Sequence, residues 1–367
     1  MKKLTRAIIL SFILALLIIP QAGCNAQAPK NYQGISKTSF HLDTVCTITV
    51  YSLKDGALEA SGSQEQEQEV LQLITEAFKL CDDYEKELSR TVQGSDIYRI
   101  NHAGGQWVEV EEDTIEVLEK GLRYGELSGG RFDITIGDVS ALWDFHEEDE
   151  EGQRTGTLPD EQQLAEAVTH VDYRNIEIDG RRVRLKDPAA TIDLGGIAKG
   201  YIADRTAEFL QEKGVTSAIV DLGGNIVIIG QKGTSLQDGA GSDFSIGIAS
   251  PVSGRGELLG AVTCSDKTVV TSGTYERYFE IDGVRYHHVL DPENGYPFAT
   301  DLLAVTVIGE RGMSADCDGL STTCLALGSE EAAALIRELA ETEDIGAVLV
   351  DEDGEVTVIN VDGYTKA

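Results

Sequence analysis

The chain is poor in basic residues: 30 Lys and Arg stand against 63 Asp and Glu, a formal net charge of −33 over 367 residues. Nucleic-acid binding draws on clustered Lys and Arg set against phosphates, so this balance argues against a nucleic-acid partner. An anionic ligand needs local help here, from a divalent cation, a helix N-terminus or a few placed bases. The rest of the acidity solvates the surface. Cysteine is sparse and patternless: Cys24, Cys46, Cys81, Cys264, Cys317 and Cys324 form no CxxC pair and have no His at zinc-like spacing, which argues against a structural zinc site. Apart from Cys24 the thiols are odd in number, so at least one stays unpaired, and small core residues are the expectation for most of them. No Pro-rich or Ser-rich linker cuts the sequence, which points to one domain with two lobes.

A long hydrophobic run occurs at the N-terminus and is itself short for a membrane span. MKKLTR followed by AIILSFILALLIIP is a charged region before an apolar one, the pattern of an export signal. It stops at QAGC, where Ala22 and Gly23 precede Cys24 as in a bacterial lipoprotein whose cysteine is acylated after cleavage. Gln21 departs from the usual aliphatic residue, and an ordinary secretory signal cut near Ala22 is the alternative. The expected organisation is a lipoprotein signal over 1–24, a polar flexible tether over 25–37 and a folded domain over 38–367, lipid-anchored to the membrane outside the cytoplasm.

TSFHLDTVCTITVYSL alternates as a strand or an opening hairpin. Apolar residues at Val70, Leu73, Ile74, Ala77, Phe78, Cys81 and Tyr84 predict a long amphipathic helix from about Glu67 to Leu88. LSRTVQGSDIYRINHAGG reads as a loop, and a second helix runs from about Asp113 to Leu127, stopped by Gly129 and Gly130. RFDITIGDVSALWDF has strand character, EEDEEGQRTGTLPDEQ is a charged excursion, and a short helix follows at about Glu161 to Val168. NIEIDGRRVRL is a hairpin around Asp179 and Gly180. TIDLGGIAKGYIADRTAEFLQEKG passes from strand through glycines into a helix, and SAIVDLGGNIVIIG is a buried strand with a tight turn at its second DLGG. Strands at FSIGIA, LGAVTC and LLAVTVIG and helices at about Ser314–Leu327 and Glu330–Ala340 complete an α+β pattern of mixed or antiparallel sheets with helices packed on them.

Four stretches could carry chemistry. VVTSGTYERYFEIDGVRYHHVLDPENGYP, residues 269–297, contains two strands around Asp282–Gly283, so His287 and His288 point to opposite faces and one of them can face a site. DLGGIAKGYIAD, residues 193–204, brings backbone N–H groups and Lys199 to a strand–helix junction where a phosphate could lie, although a glycine-assisted crossover with a solvated lysine fits equally, and neither the Walker nor the dinucleotide spacing is present. Asp318 and Thr322, four apart in DGLST, share a helix face and offer oxygen ligands to magnesium; an N-capping Asp on a core helix is the alternative. Phe132 and Asp133 in GGRFDITIG could meet a planar ring and a ribose or ring nitrogen, or be a core aromatic beside a turn carboxylate.

HLDTVCTITVY, SDIYRIN, GRFDITIGDVSALWDF, DLGGIAKGYIADR, VDLGGN, TSGTYERYF, YHHVLDPENGYP and DCDGLSTTCLALG, in that order, resemble the ApbE family of FAD:protein FMN transferases from about Thr38 nearly to the C-terminus. The resemblance implies an ApbE-like, T-fold-like domain. It implies that Asp318, Thr322 and the backbone carbonyl of Gly196 bind magnesium, or manganese in its place. Asp193, Lys199, Arg131, Phe132, Asp133, Leu42 and Leu290 would line FAD, and His288 would be the catalytic base, with His287 structural. Thr91 stands where members often carry an aromatic residue, and Ser321 where some carry an acidic one, which suggests a single magnesium or a looser site. The implied reaction transfers FMN from FAD to a threonine hydroxyl of exported or membrane redox proteins, releasing AMP. FAD hydrolysis to FMN and AMP at the same site, or flavin binding without catalysis, are the competing readings.

Overall fold

Ten residues of alternating burial from Thr44 to Leu53 make strand β2, which folds back on β1 (Ile35–His41) through a two-residue turn at Leu42–Asp43. In the computed structural model, residues 34–54, 56–58, 63–143, 145, 155–232, 241–252 and 257–367 are described, so the export signal, Cys24 and most of the proposed tether lie outside them. Among the described residues the first regular element begins at Ile35, ahead of Thr38, and β3 (Gly56–Ala57) pairs with the end of β2. Helix α1 (Gln64–Leu88) starts where the Ser63 hydroxyl accepts the Gln66 N–H, and its buried stripe is Val70, Ile74, Ala77, Phe78 and Cys81.

The segment expected to be a loop contains a short helix, α2 (Asp96–Asn101), whose cap Ser95 accepts the Tyr98 N–H. A serine followed by an aspartate was its local signal. After β4 (Val108–Glu109), helix α3 (Glu112–Leu127) ends at Gly129 and Gly130, both at positive φ. RFDITIG is not a strand. Asp133 Oδ1 accepts the Thr135 N–H at 2.7 Å and its hydroxyl at 2.6 Å, a side-chain turn that competes with extended pairing; a single bridge from Ile136 to Thr191 is all the ladder it makes. Short helices α4 (Gly137–Ala141) and α5 (Glu161–Val168) follow, then the hairpin β5 (Ile176–Asp179) and β6 (Arg182–Leu185), which forms a three-stranded sheet with β4.

Helix α6 (Ala198–Glu212) leads into the hairpin β7 (Val215–Leu222) and β8 (Asn225–Ile229), turned by Gly223 and Gly224 at positive φ. Next come β9 (Phe244–Ala249), β10 (Leu258–Cys264), β11 (Lys267–Gly273), the hairpin β12 (Tyr278–Ile281) and β13 (Val284–His287), and β14 (Leu302–Glu310). Helices α7 (Ser314–Leu327) and α8 (Ser329–Leu339) precede β15 (Gly346–Asp351), β16 (Val356–Ile359) and β17 (Tyr364–Lys366), three strands the sequence reading did not anticipate.

The main sheet runs β1-β2-β7-β8-β11-β14-β15-β16, antiparallel at every pairing, with β3 attached to β2. Helices α1, α6 and α7 cover one face and bury the principal core. The sheet β17-β10-β9 covers part of the other through Phe244, Ile246, Ile248 and Val262 against Ile228, Val269, Ile308 and Val348. Strands β14 and β15, covered on both faces, accordingly read as nearly continuous apolar runs. Cys46, Cys81, Cys317 and Cys324 are buried and reduced, as small core residues should be.

Helices α6 and α7 touch backbone to backbone. A Cβ on Gly200 would lie 2.2 Å from the Ser314 carbonyl oxygen and 2.8 Å from the Ala315 Cα. Gly200→Ala must therefore push the helices apart, and a loss of about 3 kcal/mol is expected. A thermal midpoint equal to that of the unsubstituted chain would refute this account.

Candidate functional site

The α6–α7 crossing is held by an exchange of carboxylates. Asp204 of α6 accepts the Ala315 N–H at 3.1 Å in the first turn of α7, which has no capping side chain of its own. Asp318 of α7, 2 % exposed, in turn accepts the Gly200 N–H at 3.0 Å in the first turn of α6, where Ile197 likewise supplies no cap. Each carboxylate sits at the positive end of the other helix. Asp318 is therefore in the second turn of its own helix, and the capping role belongs to Asp204. Burial raises the Asp204 carboxyl to about 7 against the backbone N–H groups that favour its charge.

The same crossing places Lys199 Nζ 3.6 Å from Asp318 Oδ1 and 3.0 Å from Asn225 Oδ1, at the start of β8. Lys199 is thus positioned, not a loosely solvated surface lysine. Gly196 precedes α6, and a Cβ there would lie 3.0 Å from the Phe132 ring and 3.7 Å from Thr322 Oγ1. The close approach needs glycine. Thr322 thus lies beside Gly196, one helical turn from Asp318 on α7, and the donors these three residues offer are all oxygen, the kind that suits magnesium or manganese and not soft metals. Among the described residues no group of three His, Cys, Asp or Glu side chains could hold a metal, so any ion here depends on hydroxyl and carbonyl donors. Ser321 is committed elsewhere, its hydroxyl 2.7 Å from that of Ser272 and 3.0 Å from the Asp318 carbonyl.

Asp193 is fixed from three sides. Its Oδ2 meets Arg90 Nε at 2.9 Å and accepts the Ser140 hydroxyl at 2.7 Å, while Oδ1 accepts the Gly195 N–H at 2.8 Å. Phe132 is buried edge-on to Tyr124. The Asp133 carboxylate is fully engaged inside the fold, by Thr135 and by the Tyr173 N–H at 2.8 Å, and burial raises its pKa. Arg131 pairs with Glu331 of α8 at 2.6 Å. Leu290 lies in the aromatic cluster of Trp143, Phe145 and Phe279, and Leu42 at the tip of the β1–β2 hairpin. The crossing thus gathers Gly196, Lys199, Asp318, Thr322 and Phe132, whereas Arg131, Asp133 and Leu290 have their interactions in neighbouring structure.

His287 closes β13 and His288 lies just beyond it, and the two rings differ in their hydrogen bonds. His287 Nε2 lies 3.2 Å from the Phe298 carbonyl and must donate, while Nδ1 accepts the Val289 N–H at 3.3 Å, so both nitrogens are occupied. His288 Nδ1 lies 3.3 Å from the Arg277 carbonyl, an acceptor, which assigns the proton to Nδ1 and the lone pair to Nε2. Burial, then the Arg277 charge, pushes the His288 imidazolium down to about 3, and Lys199 acts on it in the same direction. His288 is therefore within electrostatic reach of the α6–α7 crossing. It is neutral at physiological pH, with a basic nitrogen available.

Sequence reading passed over Arg90, Ser140, Asn225 and Arg277. Asn225 had a usable signal in the second DLGG, directly followed by it. Arg90 had none, since a lone arginine in a polar loop says nothing of the carboxylate it meets. The open cleft of about 390 Å³ lined by Gly354, Val358, Tyr364 and Lys366 includes none of these residues.

The ApbE family model matches residues 42–349. An FAD:protein FMN transferase of Treponema pallidum (strain Nichols) is 33% identical over 89% of this chain and 87% of its own. One from Klebsiella pneumoniae (strain 342) is 33% identical over 77% of this chain and 84% of its own. The solved ApbE protein of Thermotoga maritima superposes with a TM-score of 0.73 at 29% identity, covering 89% of this chain and 97% of that one. The apo flavinyl transferase ApbE of Pseudomonas stutzeri gives 0.71 at 29% identity, with 89% and 95% covered. Sequence, fold and the crossing that unites its glycine and aspartate motifs agree, and this chain belongs to the ApbE family.

Proposed function

We infer that this protein moves FMN from FAD onto a threonine hydroxyl of an exported or membrane-bound redox protein, releasing AMP. Its relatives' activity supports flavin transfer to protein. The observation that carries the chemistry is the joining of Asp318, Lys199 and Asn225 at one helix crossing within reach of a neutral His288. The threonine oxygen forms a bond to the FMN phosphorus, the bond from that phosphorus to the bridging oxygen breaks, and AMP leaves with that oxygen. His288 Nε2 takes the hydroxyl proton; with its pKa near 3 it is always unprotonated but a weak base, so the proton moves as the threonine oxygen bonds to phosphorus and becomes more acidic. Lys199, anchored by Asn225, is held to meet pyrophosphate charge. A magnesium ion on Asp318, Thr322 and the Gly196 carbonyl would neutralise and orient the pyrophosphate, where phosphoryl transfer gets most of its acceleration. The apolar run before Cys24 supports an extracytoplasmic, lipid-anchored location. Among the described residues no helix is long and apolar enough to cross a membrane.

Asp318→Asn keeps an acceptor for the Gly200 N–H and removes the charge. It is expected to lower transfer at least about 100-fold with the thermal midpoint little changed. Intact mass of an acceptor incubated with FAD and magnesium, with AMP followed in parallel, reads the result. AMP with free FMN and an unlabelled acceptor would instead establish a hydrolase, and absence of all products a flavin-binding protein.

The low His288 pKa sets the pH dependence. Protonation disables the base only near the folded value of about 3, far below the 6.5 of a free histidine. His288 should therefore contribute no acid limb near 6.5 to kcat/KM for FAD; a limb there that survives Asp204→Asn, which removes the nearby carboxyl raised to about 7, would overturn the low His288 value.

A further inference from the structure

The β1–β2 hairpin carries an unusual tip. Leu42 and Asp43 both adopt positive φ, 53° and 58°, in a two-residue turn that glycine would make without strain. A leucine held there costs on the order of 1 kcal/mol, so the turn keeps its side chains at some loss of stability. Asp43 reaches Arg277 at 3.7 Å, and the Arg277 carbonyl accepts the His288 N–H at 3.1 Å. The tip is therefore part of the rim of the His288 site.

On either side of this turn Phe40 and Val45 are direct cross-strand partners, 67% and 60% exposed. Their face continues along the hairpin as hydroxyls bonded to one another, Thr38 to Thr47 at 3.0 Å and Ser36 to Thr49. The second sheet covers this face only at the far end, where Tyr51 meets Phe244. β1 is also the first strand of the main sheet, so its outer edge has no neighbouring strand among the described residues. Exposed edges in soluble proteins are normally blunted by charge, yet this one ends in an uncovered phenylalanine.

We propose that the Phe40–Val45 tip is the docking surface for the acceptor protein, which seats an apolar patch of its own beside the threonine it offers. This rests on the transfer reading above. A threonine side chain is short, so an acceptor whose hydroxyl is taken by His288 must lay its backbone against the rim of that site, and this hairpin is the apolar part of the rim. Phe40 and Val45 carry no charge, so the patch recognises an acceptor by burial of apolar surface.

The test compares Phe40→Ser, Val45→Thr and the pair together. The probes are a flavin-free redox subunit with one surface threonine segment, and the synthetic peptide of that segment. Both positions are exposed and outside the chemistry, so FAD turnover with the peptide should stay within about twofold of the unsubstituted enzyme. KM for the folded acceptor should rise about tenfold or more in the double variant, the loss expected for a buried aromatic anchor. An unchanged KM for the folded acceptor overturns the proposal. So does a double variant that turns a dimer into a monomer by light scattering with that KM unchanged, since the patch would then belong to a second copy. If the unsubstituted enzyme labels neither probe, the transfer reading itself fails, a result distinct from either.

Discussion

The site depends on one crossing, where α6 and α7 come so close at Gly200 that no side chain fits between them. The contact is possible because each helix supplies the carboxylate that satisfies the other's first turn, Asp204 for α7 and Asp318 for α6. Two uncapped helix ends buried in a core would each leave N–H groups without partners, a loss on the order of 1–3 kcal/mol per group. The exchange removes that loss. It also fixes Asp318 in position and orientation, with Lys199, one residue before Gly200, delivered to its other oxygen. Structure and chemistry share one set of hydrogen bonds.

That arrangement explains why a chain so acidic needs further help to hold a pyrophosphate. Each base near the site has a carboxylate beside it: Lys199 has Asp318, Arg90 has Asp193, and Arg277 has Asp43. These pairs orient side chains but present little net positive charge. The magnesium proposed on Asp318, Thr322 and the Gly196 carbonyl would supply the missing charge through hard oxygen donors. His288 fits the same logic from the other side. Its burial and the nearby cations keep it neutral, so it adds no charge of its own and offers a lone pair.

Much of this was legible in the sequence wherever one local rule decided the matter. The α1 stripe, the glycine stops after α3, the Asp179–Gly180 and Asp282–Gly283 hairpins and the limits of α7 all follow from periodicity or turn chemistry. The β1–β2 turn was harder, because Leu42–Asp43 lacks the glycine that normally marks one. Sequence reading failed where a side chain redirected the backbone, as Asp133 does in turning RFDITIG away from strand geometry, and where a cap as brief as Ser95 opened a six-residue helix. Within the site, the Asp318–Thr322 spacing was visible, but its choice between cap and ligand was not. Asp204, more than a hundred positions earlier in the chain, caps α7 instead, and Asp318 serves the first turn of α6.

The position of the two histidines shows how far such local facts reach. β13 ends at His287 and His288 follows just beyond it, so strand alternation does not say which ring has a nitrogen to spare. Hydrogen bonding distinguishes them. His287 spends both ring nitrogens on the Phe298 carbonyl and the Val289 N–H, and so locks the chain between the hairpin and the turn that follows. His288 spends only Nδ1, on a carbonyl belonging to Arg277, the residue whose side chain reaches Asp43 at the β1–β2 tip. One residue thus sets the tautomer of His288 with its backbone and ties the β1–β2 tip with its side chain. A displacement of that tip has a direct route to the orientation of the imidazole.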